Sequence, residues 1–152
     1  MQHGQEIKIT KNDVQFLKWY DLKERVRNSK GFVNPEEFNE MLESSIALQL
    51  RSDVPVGVCL SGGIDSSSIV SILYKKFNNK DIKTFSSIYD QGSNGDESEY
   101  LEEYKPFLTN MFFTKPDEST LIDDLEQFVK AQSEPLPSTS PYAQFKVMEL
   151  AR

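Results

Sequence analysis

The segment Val54-Pro55-Val56-Gly57-Val58-Cys59-Leu60 runs directly into Ser61-Gly62-Gly63-Ile64-Asp65-Ser66-Ser67, and this junction constrains the fold more than any other feature. The first part is short and almost wholly apolar, which is how a strand buried on both faces reads. Two adjacent glycines break it. Ile69, Val70, Leu73 and Phe77 then recur at helical spacing, so a helix is expected from about residue 65 to residue 77. A buried strand turning through glycines into a helix is one unit of a parallel sheet.

The same alternation continues downstream. Ile82 to Tyr89 reads as a second strand and Met111 to Thr114 as a third. Tyr100, Leu101 and Tyr104 suggest a helix that ends near Pro106, because proline cannot continue it. Leu121, Ile122, Leu125, Phe128 and Val129 mark an amphipathic helix, and a last helical pattern covers Tyr142 to Arg152. Pro135, Pro137 and Pro141 punctuate the loop between them. Upstream, Asn34-Pro35-Glu36-Glu37 is a helix start with a capping box, followed by Phe38, Met41, Leu42, Ile46 and Leu50 on one face. Residues 6–22 alternate briefly and then cluster Phe16, Trp19 and Tyr20, so strand or extended lead-in segments are expected there. The expected organisation is a lead-in over 1–33 and an α/β domain over 34–152, a parallel sheet with helices on both faces. A final helix with no strand after it makes that sheet look unfinished.

The chemistry gathers at the glycines. Gly62 and Gly63 let the backbone turn tightly and approach a ligand without a side-chain clash. The start of a helix offers unpaired N–H groups and a partial positive charge. Ser61, Ser66 and Ser67 add hydroxyls, and the whole suits phosphate oxygens. Its place at the carboxyl end of a strand is where α/β sheets bind ligands. No lysine follows the glycines, so this is not the common P-loop. Asp65 puts a negative charge there instead. It either caps the helix or faces a phosphate across a metal ion, which implies Mg²⁺ indirectly. The plainer reading of Ser-Gly-Gly alone is a turn with aspartate and serine capping the next helix.

Composition removes other classes. The net charge of −7 repels a phosphate backbone, so nucleic acid is not an expected partner. The densest basic group, Lys75, Lys76 and Lys80, reads as the solvated end of a helix. One histidine, His3, excludes histidine triads and multi-histidine metal sites. One cysteine, Cys59, allows no intrachain disulfide and fits a reducing compartment. No run of about 18 apolar residues is present, so no membrane span is expected. The first six residues show no secretory pattern.

Ser-Gly-Gly-Ile-Asp-Ser-Ser resembles the signature of the ATP pyrophosphatases, the PP-loop enzymes that split ATP between its α and β phosphates. The longer string from Arg51 through Asp53-Val54-Pro55-Val56-Gly57 and Cys59-Leu60 to Gly63 narrows the resemblance to glutamine-hydrolysing asparagine synthases. Trp19-Tyr20-Asp21-Leu22, Thr84-Phe85-Ser86, Asp96 to Tyr100, Glu134-Pro135 and Tyr142-Ala143-Gln144 are similar as well. The resemblance covers nearly the whole chain and corresponds to the amino-terminal part of the synthetase domain. It implies a doubly wound fold like that of the adenine nucleotide α-hydrolases. It implies a ligase in which aspartate attacks ATP to give β-aspartyl-AMP and pyrophosphate, and ammonia from a glutaminase domain displaces AMP. By the same resemblance Ser61, Gly62, Gly63, Ser66 and Ser67 hold pyrophosphate, Asp65 orients it through Mg²⁺, and Cys59 and Ser87 contact adenosine. A cytoplasmic location follows, and a homodimer is compatible with it.

The sequence also departs from the family. Gln2 stands where a nucleophilic cysteine follows the initiator in the family's glutaminase domain, and Ser87 replaces a usual aliphatic residue. A later Gly-Glu-Gly-x-Asp-Glu segment, which completes the family's nucleotide site, does not occur. The expectation is half a nucleotide site, inactive alone. A related AMP-forming ligase acting on another carboxylate, such as a β-lactam-forming synthetase, and a non-catalytic nucleotide-binding module stay open. Asp96-Glu97 reads first as a solvated loop entering a helix, and second as a metal or amine site. Glu134 is equally a loop acid or a site acid. Cys59 reads as a small buried apolar residue, and Trp19 with Tyr20 as packing against the sheet.

Overall fold

The computed structural model describes residues 1–89, 98–136 and 138–152. The chain divides into two compact units, Met1–Leu42 and Glu43–Arg152. The border falls inside a helix, later than the expected 33/34 boundary.

The first unit is a hairpin and a short helix. Strands β1 (Gln5–Ile9) and β2 (Val14–Lys18) pair antiparallel, with Ile7 opposite Phe16 and Ile9 opposite Val14. Because side chains alternate along a strand, those four apolar residues share one face, opposite Glu6, Lys8 and Gln15. Helix α1 (Leu22–Asn28) starts where the Asp21 carboxylate accepts the Glu24 amide at 3.1 Å. The rings of Trp19 and Tyr20 lie 5.6 Å apart within this unit. Helix α2 (Pro35–Gln49) opens as its sequence predicts: Asn34 Oδ1 accepts the Glu37 amide at 2.8 Å. The Glu37 carboxylate reaches one residue further back than a standard capping box and accepts the Val33 amide at 2.7 Å.

The second unit is a three-stranded parallel sheet in the order β3 (Gly57–Cys59), β4 (Lys83–Ser87), β5 (Asn110–Thr114). Helix α3 (Ile64–Lys75) joins β3 to β4, and α4 (Ser98–Glu102) precedes β5. Right-handed crossovers put both on one face, and the rings of Tyr74 and Phe107 meet there edge to face at 6.2 Å. Helices α5 (Glu118–Gln132) and α6 (Ser140–Ala151) follow β5. Gln144 of α6 donates to Cys59 Sγ at 3.8 Å, so α6 covers the opposite face. Leu60, Val70, Leu73, Leu101 and Phe128 form the core, each about 2% exposed or less. Burying one such side chain contributes about 1.5–3 kcal/mol.

Polar groups tie α5 to α6. Tyr142 donates to the Asp124 carboxylate at 2.7 Å and Lys146 donates to the same oxygen at 2.9 Å. The Lys146 and Tyr142 bonds hold the Asp124 carboxyl below the usual carboxylate range. Burial, seconded by that carboxylate, pushes the Tyr142 phenol up. The Glu149 and Asp124 carboxylates raise Lys146.

Two expectations change. The strand expected over residues 54–60 pairs only over Gly57–Cys59, because its partner β4 begins at Lys83. Cys59 is exposed rather than buried. The apolar run implied cover on both faces, but β3 lies at one edge of the sheet, with Cys59 turned away from the Leu60 side. The loop from Asp90, with Asp96 and Glu97, and Pro137 lie outside the described residues. Among the described residues no helix is long and apolar enough to cross a membrane.

Candidate functional site

Strand β3 delivers the chain to its carboxyl end, and residues 61–67 build the candidate anion cradle there. Leu60 closes the ladder, its amide donating to Phe85 O at 3.0 Å. Gly62 takes φ 93°, which an L residue rarely adopts, and the turn at this point needs it. Gly63 is the N-cap of α3, extended at φ −66° and ψ 159°, and no side chain caps the helix. Asp65 therefore does not play the capping part. It stands in the first turn, exposed, where the helix dipole favours an anion.

The absence of a side-chain cap is the central feature. The amides of Ile64, Asp65 and Ser66 have no acceptor within the helix, whose first internal turn closes with Ser67 N–H to Gly63 O at 3.0 Å. Three N–H groups at the start of α3 are thus left without an acceptor inside the helix. Ile64 is 82% exposed, so the mouth of the cradle opens to solvent.

The serine hydroxyls line the same turn. Ser61 and Ser66 Oγ lie 3.1 Å apart, Ser66 Oγ donates to Gly63 O at 3.1 Å, and Ser67 Oγ donates to Gly62 O at 3.3 Å. Ser61 Oγ accepts the Gly63 amide at 3.2 Å. A neutral bond of this kind contributes about 0.5–1.5 kcal/mol net, and bonds to an ionised oxygen are roughly twice as strong. A phosphate oxygen can therefore draw these hydroxyls away from their present partners.

Register places the other expected residues on the sheet. Cys59 pairs with Phe85, and side-chain alternation puts Cys59, Phe85 and Ser87 on one face of the sheet. Cys59 and Phe85 line a groove of about 280 Å³ together with Met148 of α6. Ser87 ends β4, and its hydroxyl is buried without a hydrogen-bond partner among the described residues. An orphaned polar atom at a strand end calls for a ligand or a water. Glu134 is exposed just beyond α5, after the left-handed Ser133 at φ 58°. Among the described residues no group of three or more His, Cys, Asp or Glu forms a metal cluster. Among the described residues the exposed Asp65 carboxylate in the first turn of α3 is of the kind a Mg²⁺ shared with phosphate would take, since that ion needs one or two carboxylates and completes its shell with phosphate oxygens and water. Sequence reasoning missed Ser86, whose hydroxyl donates to Leu60 O at 2.5 Å. The two residues are far apart in the chain, and no local pattern marks the contact.

Residues 37–152 match the sequence profile of the family described as Asparagine synthase. A putative glutamine-hydrolysing asparagine synthetase 2 of Methanocaldococcus jannaschii is 31% identical over 121 residues, covering 77% of this chain and 22% of that protein. Asparagine synthetase 1 of Bacillus subtilis is 48% identical over 56 residues, 37% of this chain and 8% of that protein. Amidase chry2 of Gibberella zeae is 33% identical over 127 residues, 75% of this chain and 19% of that protein. The chain spans about a fifth of the length of the relatives it matches most fully. With its parallel sheet, its glycine turn and a profile match across most of its length, the chain belongs to the asparagine synthase family.

Proposed function

We propose that the chain grips the phosphate tail of ATP in an AMP-forming ligation that converts aspartate to asparagine with ammonia from glutamine. The observation that carries this reading is the uncapped first turn of α3, whose three amides open at the carboxyl end of a parallel strand. In this reading the amides of Ile64, Asp65 and Ser66, with Gly62, Gly63 and the hydroxyls of Ser61, Ser66 and Ser67, hold the β and γ phosphates. Cys59 and Ser87 meet the adenosine end. Mg²⁺, held by Asp65, would neutralise phosphate charge. The aspartate carboxylate attacks the α phosphorus, the bond to the β phosphate breaks, and pyrophosphate leaves with its electron pair. Ammonia then displaces AMP. This chain's residues align and neutralise; none of them acts as nucleophile. The reaction belongs in the cytoplasm, where ATP and aspartate are at hand.

A second reading rests on the two relatives called amidases, chry2 and chyE of Penicillium rubens. Here the same phosphate grip serves another carboxylate. The test incubates the protein, in the form isolated from its own cell, with ATP, aspartate and glutamine and separates the nucleotides. AMP and pyrophosphate that depend on aspartate support the first reading. AMP that requires a different carboxylate supports the second, and ADP as the product contradicts both.

A further inference from the structure

The peptide unit between Leu60 and Ser61 is at once the end of β3 and the beginning of the phosphate loop. A peptide is planar, so its carbonyl and its N–H turn together. Both ends of this plane are held by serine hydroxyls. On the carbonyl side, buried Ser86 of β4 donates to Leu60 O at 2.5 Å. On the amide side, Ser61 N–H donates to Ser66 Oγ at 3.2 Å. Ser66 in turn donates to Gly63 O at 3.1 Å, the carbonyl that also closes the first turn of α3. The backbone ladder itself ends one bond earlier, at Leu60 N–H to Phe85 O. A side chain therefore does what the next ladder bond would have done.

We propose that Ser86 is a positioning residue for the phosphate loop: it locks the Leu60–Ser61 peptide plane, and through Ser66 it aims the uncapped amides of α3. The proposal rests on the nucleotide reading above. The sheet supplies an internal comparison. Thr84 is on the same strand and the same face, fully buried, and its hydroxyl has no partner among the described residues. If a buried hydroxyl on this face mattered only for packing, Thr84 and Ser86 would be equivalent. The geometry makes only Ser86 reach the loop.

The experiment measures magnesium pyrophosphate binding by calorimetry on the full chain, for the wild type and three variants. Ser86→Ala removes the lock, Thr84→Val removes the idle hydroxyl, and Ile82→Val matches a mild loss of stability at a buried site beside β4. The expected result is an affinity about tenfold weaker for Ser86→Ala, the scale of one lost hydrogen bond plus misalignment, with the two controls within about twofold of wild type. Faster hydrogen exchange at the Ser61 amide accompanies it, beyond the increase that the equally mild packing defect of Ile82→Val gives there. If the wild type binds and Ser86→Ala binds as Ile82→Val does, the positioning role is overturned while the nucleotide reading stands. If the wild type does not bind, both fall. Should Ser86→Ala fail to fold, Ser86→Cys keeps the volume with a weaker donor. Its affinity is then expected to fall about threefold, and wild-type affinity overturns the proposal.

Discussion

Replacing Gly62 by alanine separates a strained turn from a functional one. Gly62 holds φ 93°. An L residue at positive φ costs about 1–2 kcal/mol. Alanine also narrows the unfolded chain, which offsets about 0.4–1 kcal/mol. The net loss is about 1 kcal/mol, or a melting temperature lower by about 4 °C for a unit of this size. Binding should suffer more than stability. Relief of the strain rotates the Gly62 peptide, releases the Ser67 hydroxyl that donates to Gly62 O at 3.3 Å, and turns the cradle away from its ligand. We expect magnesium pyrophosphate affinity to fall at least tenfold, about 1.4 kcal/mol. Gly31→Ala is the control. Gly31 also has positive φ, 66°, and an added Cβ meets nothing within 4 Å. It should lose stability by backbone strain and bind pyrophosphate as wild type does. If Gly62→Ala melts and binds as wild type does, the reasoning is refuted.

Other outcomes follow from the packing. Gly57→Ala puts a Cβ 2.5 Å from Phe85 Cε2 and 3.2 Å from Lys83 O, under a ring stacked on Phe112 at 5.4 Å. It should cost about 1–3 kcal/mol in urea unfolding, and an unchanged midpoint would count against the tight β3–β4 contact. Asp124→Asn removes the carboxylate that Lys146 and Tyr142 share. The folded pKa of Asp124 lies below its unfolded value, so its stabilisation is present above about pH 4 and is lost as pH falls through the folded value. The melting temperatures of wild type and variant should differ at neutral pH and converge in acid; a constant gap would contradict this.

Much of the α/β unit was legible because its periods are strong. Leu121, Leu125 and Phe128 announce α5, and Ile69, Val70 and Leu73 announce α3. The glycine loop was legible because turn chemistry is local. Helix α1 was overlooked, although Asp21 with Glu24 three residues later carries an N-cap signal. The extent of β3 and the exposure of Cys59 were not legible, since both depend on which strands neighbour β3 and where β4 starts. The Ser86 contact escaped for the same reason. Its partner lies on another strand, and a hydroxyl residue in a strand looks alike whether its hydroxyl is idle, as at Thr84, or engaged, as at Ser86.

Phosphate binding at this site depends on the three amides that open α3. Amide nitrogen–proton spectra of the chain, titrated with magnesium pyrophosphate, observe them directly. Ile64, Asp65 and Ser66 should show the largest shifts and saturate together, with Gly62 and Gly63 following. Saturable binding that leaves these five signals in place while others move would contradict the account.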